Sequence, residues 1–277
     1  MLRAGLFLGV SLRHRMLQKA SPLHGGKLRI RGTSNVQMSR ELKQALQAFG
    51  VATLLVALLG LIARGVSFVD ANLGALAAIV FLYSTVVVAN RRGEDLADFG
   101  FISRPRLRSI AIASTYVAVV FPIFTVVFVV FYELACAKAS ILASLAPPGF
   151  CFAFGGWESA SWPVLGLDTL ELAFVQLVVV ALPEELFFRG LIHELCERSL
   201  PPKRRFLGGG IGWALVISSA LFAVGHLAVT FDLRRLVVFF PGLVFGWMRS
   251  ATGSILAGVI AHTASNLFIH LLQKVFF

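Results

Sequence analysis

The chain has 277 residues, 57% hydrophobic and only 14% charged, with a mean hydropathy of +0.83 and a net charge of +11. A soluble domain of this length carries about 25% charged residues, so the composition excludes an ordinary soluble enzyme and points to an integral membrane protein. The basic residues lie in short runs between apolar stretches, with no aromatic interleaving in a polar region, which argues against a nucleic-acid partner and for charges that orient the chain in a lipid bilayer.

Residues 1–44 form a basic amino-terminal segment with nine Lys and Arg. The first 37 residues contain no Asp or Glu. This stretch reads either as an organelle leader or as an extension ahead of a start at Met38, where Ser39 and Glu41 open a periodic helix. Residues 45–277 read as a polytopic membrane domain. A spanning helix needs about 20 mostly apolar residues, and seven stretches qualify, near 45–68, 72–90, 109–132, 167–190, 208–230, 236–250 and 254–273. The apolar run "ILASLAPPGFCFAFGGW" (141–157) is broken by Pro147, Pro148 and Gly149, and reads as a re-entrant or short eighth segment, or as a loop packed on the helices. Gly208–Gly210 read as a flexible lead into the fifth span, and Asp168 and Glu171 as the start of the fourth, where acids suit a helix amino terminus.

Cys136, Cys151 and Cys196 form no CxxC pair. Cys136 and Cys151 share one interspan loop, and either pair in an oxidising compartment or remain free thiols. The loops 91–108 and 196–205 carry five and four Lys and Arg, whereas 69–71 and 133–166 carry none and one. That alternation predicts a cytoplasmic amino terminus and cytoplasmic basic loops, in the bacterial cytoplasmic membrane.

The fourth span holds "ALPEELFFRG" (181–190), three charges within six positions. A charge at the bilayer centre costs about 2.5–3.5 kcal/mol on insertion scales, so these residues must pair and face the bundle interior. At about 100° per residue, Glu185 and Arg189 lie about 40° apart and Glu184 and Arg189 about 140° apart. Arg189 is therefore expected to neutralise Glu185 and leave Glu184 pointing elsewhere. His226 lies in the fifth span, on a face with Phe222, and His262 shares a face with Asn266 in the seventh. A single such group is often only helix–helix glue. A carboxylate, two imidazoles and an amide on three spans can also hold and deprotonate a water and stabilise an oxyanion. A serine mechanism lacks a Gly-x-Ser-x-Gly elbow around Ser218, Ser219 or Ser265. A zinc site of two His and one Glu is the minor alternative. "HELCE" (193–197) has Glu197 where His-Glu-x-x-His needs its second histidine, and reads as the polar cytoplasmic end of a helix.

The ordered set Glu184-Glu185-x-x-x-Arg189, Phe222-x-x-x-His226 and His262-x-x-x-Asn266 resembles the CPBP family, the CAAX-type prenyl endopeptidases and bacteriocin-processing or immunity proteins, over about residues 167–273. The resemblance implies an all-α intramembrane bundle of about seven or eight helices with an interior polar cavity. It implies a glutamic-type endopeptidase acting on a membrane-anchored protein or peptide near its carboxy-terminal tail or anchor. By motif, Glu184 and His226 would activate water, His262 and Asn266 would form the oxyanion hole, and Glu185 and Arg189 would support them. A non-catalytic immunity or scaffold protein of the same fold is the alternative. A proton-coupled carrier would need inverted repeats, which the sequence does not show.

Overall fold

The structure, a computed structural model, describes residues 39–137, 141–164, 166–228 and 231–277. The expectations for residues 1–37, leader or upstream extension, lie outside the described residues.

Helix α1 (Arg40–Ala63) begins where the Ser39 hydroxyl accepts the Leu42 N–H, with Glu41 in the first turn, both favourable at a positive helix end. Helix α2 (Leu73–Arg92) closes on Gly93 at φ +68°, a left-handed cap that donates its N–H to Ala89, with Arg91 and Arg92 in the last turn. Helix α3 (Arg106–Ala135) carries Pro122 in its interior. All three are long and apolar enough to cross a membrane. The packed faces of α1 and α2 are rich in small residues: Ala45 and Ala52 in α1 and Ala78 and Ala89 in α2 are buried, while Leu54 and Leu61 of α1 are 60% and 56% exposed. Surrounded by lipid tails, a leucine loses little by facing outward, and small residues let helix backbones approach.

Residues 167–199 form one uninterrupted rod, α4, that alternates in geometry. Leu167–Val175, Leu182–Glu185 and His193–Ser199 are α-helical, and Gln176–Ala181 and Leu186–Ile192 are π-helical. Pro183 has no N–H to donate to the preceding turn, and the wide π turns flank it on both sides. A hairpin follows, β1 (Arg204–Phe206) antiparallel to β2 (Gly209–Ile211), with Arg205 opposite Gly210. Helices α5 (Trp213–Gly225), α6 (Phe239–Thr252) and α7 (Leu256–Phe276) complete the bundle.

The expected all-α membrane architecture is present, with corrections of detail. The fourth segment runs to Ser199 rather than 190, and residues 208–211 of the expected fifth span belong to the hairpin, leaving α5 only Trp213–Gly225. Leu207 and Gly208 both take positive φ, +48° and +87°, which is the backbone a two-residue hairpin turn requires. The glycine run is therefore a turn and a strand, not a flexible lead. The 141–157 stretch is the packed-loop alternative: short turns at Ile141–Leu145, Phe150–Ala153 and Trp157–Ser159, with Phe150 and Phe154 against Tyr132 and Phe277. Cys136 and Cys151 form a disulfide, and Cys196 is a buried free thiol.

"HELCE" lies in the last turns of α4, the polar helix end expected, and it also ties that end to its neighbours. Glu94, just past α2, meets Arg92 at 2.8 Å and Arg198 at 2.8 Å, Arg198 meets Glu194 at 3.0 Å, and Glu194 meets Arg249 of α6 at 2.8 Å. The 93–103 loop is seated by the same region: a Cβ on Gly190 would lie 2.7 Å from the Phe99 carbonyl oxygen, and Ile255 donates its N–H to the Gly100 carbonyl at 3.0 Å. Burial alone would push the Glu94 carboxyl up, but hydrogen bonds from Arg198 and Arg92 outweigh it and hold the group below its ordinary value. A depressed folded value means that ionised Glu94 stabilises the fold above the unfolded-state pKa, and that this is lost as pH falls through the folded value. Glu94→Gln is therefore expected to lower the thermal midpoint in detergent at pH 7, with the gap to wild type closing in acid below about pH 4; a constant gap down to pH 2.5 would contradict the ion-pair account.

Candidate active site

The rod α4 carries Glu184 and Glu185 in the α-helical turn between its two π segments. Glu185 is fully buried, and its Oε1 lies 3.0 Å from Arg189 Nη1, the pairing expected from four-residue spacing. Oε1 also lies 3.0 Å from Nδ1 of His262 in α7. A carboxylate can only accept, so His262 Nδ1 carries the proton. Space for this contact comes from Gly258, one turn earlier on α7, where a Cβ would lie 2.5 Å from Glu185 Oε2. The Arg189 guanidinium sits 3.9 Å from the centroid of the Phe222 ring and 5.3 Å from that of Phe245. An aromatic face lets a desolvated cation keep a favourable electrostatic contact where water is absent.

Glu184 is left differently. The side chain that comes nearest to pairing with it is His262, with Nε2 3.8 Å from Oε2, too long for a hydrogen bond, and Oε2 has no hydrogen-bond partner. The side chain borders a cavity of about 240 Å³ between α2 and α4, lined by Gly74, Ala77, Ala78, Phe81 and Val180. A water occupies about 30 Å³ of liquid, so the small residues of α2 leave space for water beside an unpaired carboxylate.

His226 directly follows α5, and its Nδ1 donates to the Phe222 carbonyl at 2.8 Å. A carbonyl cannot donate, so in the neutral ring Nε2 is left as the basic nitrogen. His226 and Glu184 lie at similar depth: each is 13 to 15 residues, about 20 Å at helical rise, from the end where α4 stops at Ser199 and α5 starts at Trp213. Phe222 packs between the imidazoles, its centroid 4.6 Å from that of His226 and 6.0 Å from that of His262. No hydrogen bond joins His226 to Glu184 among the described residues. Asn266 extends from α7 one turn past His262 and donates from Nδ2 to Gln176 Oε1 at 2.8 Å.

The structure thus brings Glu184, Glu185, Arg189 and His262 into direct proximity, sets His226 behind Phe222, and ties Asn266 to the first π turn of α4. Sequence reading passed over Gln176, although an amide inside "AFVQLVVV" was the available signal. His193, weighed in the sequence only as the first residue of "HELCE", is buried with Nδ1 2.9 Å from Ser218 Oγ and Nε2 3.4 Å from Glu197. That Ser–His–Glu set is not a nucleophile: the Ser218 hydroxyl donates to the Leu215 carbonyl at 3.2 Å, so its proton is not offered to the imidazole. Among the described residues no group of three or more His, Cys, Asp and Glu side chains is arranged to hold a metal ion.

Residues 166–268 match the family model described as Type II CAAX prenyl endopeptidase Rce1-like. This stretch is a CAAX-type protease domain. It is the CPBP-type family that the three motifs resemble, and the matched segment takes in all six predicted site residues. No curated protein and no solved structure gives a significant match to the chain. The CAAX-protease domain comprises α4, the hairpin, α5, α6 and most of α7, while α1, α2 and α3 lie outside the matched residues. Together with the long apolar helices, the family makes the chain an integral membrane protein.

Within the CAAX-protease domain, Arg189 compensates a carboxylate that has no access to water. Arg189→Met is expected to destabilise the protein by about 3–5 kcal/mol, because it leaves Glu185 buried with half its compensation. Adding Glu185→Leu to that variant should restore much of the loss, read as thermal unfolding in detergent; strictly additive losses would show that the two side chains do not compensate one another.

Proposed function

We propose that the chain is an intramembrane endopeptidase in which Glu184 activates a water for attack on a peptide bond of a membrane-anchored substrate. The observation that carries this reading is the difference between two adjacent glutamates: Glu185 is fully buried with Arg189 and His262 both 3.0 Å from its Oε1, whereas Glu184 has no arginine partner and borders a cavity.

The chemistry follows from the charges. With Glu184 and Glu185 ionised, and Arg189 and a doubly protonated His262 as cations, the cluster has no net charge, which a low-dielectric interior favours. Glu184 takes a proton as the water oxygen bonds to the scissile carbonyl carbon. His262 Nε2–H and the second Nδ2–H of Asn266 donate to the oxyanion that forms. Return of the proton to the amide nitrogen as the carbon–nitrogen bond breaks gives an amine and a carboxylic acid. His226 Nε2, basic because Nδ1 is committed to Phe222, orients the water and shares its proton.

The substrate is a membrane-associated protein or peptide cut near its carboxy-terminal tail or anchor, either a prenylated tail, as the family description names, or an unprenylated sorting tail. The amino terminus is cytoplasmic, in a bacterial cytoplasmic membrane. The alternation of basic loops supports that orientation, as does the Cys136–Cys151 disulfide, which suits an oxidising outer compartment.

Purified protein in liposomes, given a membrane-anchored probe peptide, is expected to lose at least about 100-fold in cleavage rate with Glu184→Gln and to be indifferent to a strong zinc chelator. Loss on chelation and recovery with zinc would instead make His226 and His262 metal ligands, and unchanged cleavage in Glu184→Gln would end the mechanism. Gln176→Leu, which frees the Asn266 amide to rotate, is expected to lower kcat by about 10- to 100-fold at nearly constant KM, with no further loss in an Asn266→Ala background. Losses that multiply in the double variant would place Gln176 outside the Asn266 pathway.

A further inference from the structure

We propose that the β1–β2 hairpin, with the adjoining starts of α3 and the groove between α3 and α6, is a binding site for an anionic phospholipid. The site is separate from the catalytic cluster and stands independently of the proposed cleavage.

The first observation is a division among the cations at this end of the molecule. Arg92, Arg198 and Arg249 are all paired with Glu94 or Glu194. Arg106, Arg108, Lys203, Arg204 and Arg205 are exposed, and among the described residues no carboxylate pairs with any of them. Two of them reach only carbonyl oxygens of the hairpin turn, Arg108 to Leu207 at 3.4 Å and Arg205 to Gly208 at 3.2 Å. These contacts leave most of each guanidinium's five donors free.

The second observation is the tip itself. Leu207 is held at φ +48° and is 72% exposed, beside Phe206 at 60%. A left-handed backbone is unfavourable for leucine, and asparagine or glycine would serve the turn better. A strained position that displays a large apolar side chain gains only where that side chain meets an apolar medium. The tip is fixed in this pose: Trp247 of α6 donates from Nε1 to the Phe206 carbonyl at 2.8 Å, and a Cβ on Gly209 would strike the same indole.

Third, Leu207 and Arg108 sit at one end of a groove of about 480 Å³ whose walls are apolar, with Ile112, Val119 and Val120 of α3 facing Val244 of α6. A charged mouth opening on an apolar trough is the shape of a headgroup and its acyl chain. Arg108 and Arg205 would hold the phosphate, Leu207 would insert at the glycerol level, and a chain would lie along α3. Tryptophan and unpaired arginine at one level are the usual composition of a membrane interface.

The test uses the delipidated full chain in detergent, with native mass spectrometry against phosphatidylglycerol and phosphatidylcholine of matched chains. Wild type is expected to retain phosphatidylglycerol at concentrations where phosphatidylcholine does not bind. Arg108→Ala/Arg205→Ala should weaken that retention by about tenfold or more while the helical circular dichroism and thermal midpoint stay unchanged. Leu207→Asn should weaken retention without lowering the thermal midpoint, because it relieves the turn. Equal retention of both lipids, or retention unaffected by either variant, would overturn the proposal. So would displacement of the lipid by glycerol phosphate, which would leave a plain phosphate site, or by farnesylcysteine methyl ester at equal concentration, which would give the groove to a substrate's lipid.

Discussion

The bundle is organised around the compensation of one carboxylate. Glu185 has no exposed surface, and an unpaired ionised group there would cost far more than a membrane helix can spare. Its compensation is divided between Arg189 on its own helix and His262 on α7, so α7 cannot move from α4 without exposing a charge to an apolar medium. The neighbouring helices yield room for it: Gly258 leaves space for Glu185, and at Gly242 of α6 a Cβ would lie 3.5 Å from Arg189 Nη2. Because Arg189 is drawn to Glu185 and to the Phe222 ring, it makes no direct ion pair with Glu184. The separation of Glu184 from Arg189 is thus a consequence of how Arg189 and His262 both gather on Glu185 Oε1.

Such a centre needs a bundle that does not breathe, and hydrophobic burial does little to hold helices together inside lipid. The chain answers this at its two ends with different chemistry. At the end rich in Lys and Arg, ion pairs link the segment after α2 to α4 and α4 to α6. At the other end the Cys136–Cys151 bond closes the loop after α3, and backbone bonds from Gly155 to Phe276 and from Ser161 to Val275 strap that loop to the end of α7.

Much of this was legible in the residues. The Glu185–Arg189 pair followed from helical spacing alone. The motif set pointed to the family whose model matches residues 166–268. The missed features share one physical cause, that their meaning depends on partners far apart in sequence. Gln176 is one amide in an apolar run until Asn266, 90 positions away, donates to it. The "HELCE" segment is the polar helix end it reads as, but its partners Arg249 of α6 and, through Arg198, Glu94 lie 55 and 104 positions from the residues they meet. The hairpin at 204–211 was hidden because its turn uses a leucine where the usual signal is Asn-Gly, and because β2, Gly209–Ile211, runs on almost directly into α5.

The polar stripe of α4 explains why the other elements gather where they do. Glu185, Arg189, His193 and Glu197 follow one another at four-residue intervals, and each takes its partner from a different place: His262 of α7, the Phe222 and Phe245 rings of α5 and α6, Ser218 of α5, and Ser250 of α6 at 2.9 Å. Successive turns of one helix therefore prescribe the contacts of three others, and each contact is specific because a polar group facing lipid or an apolar neighbour would be penalised. Glu184 stands one residue off the stripe, at the edge facing α2, where Gly74, Ala77 and Ala78 offer neither bulk nor hydrogen bonds. A helix that sets four polar side chains against partners along one face, and leaves a carboxylate on the adjacent face beside small residues, has separated the charges that hold the bundle together from the one that no arginine pairs.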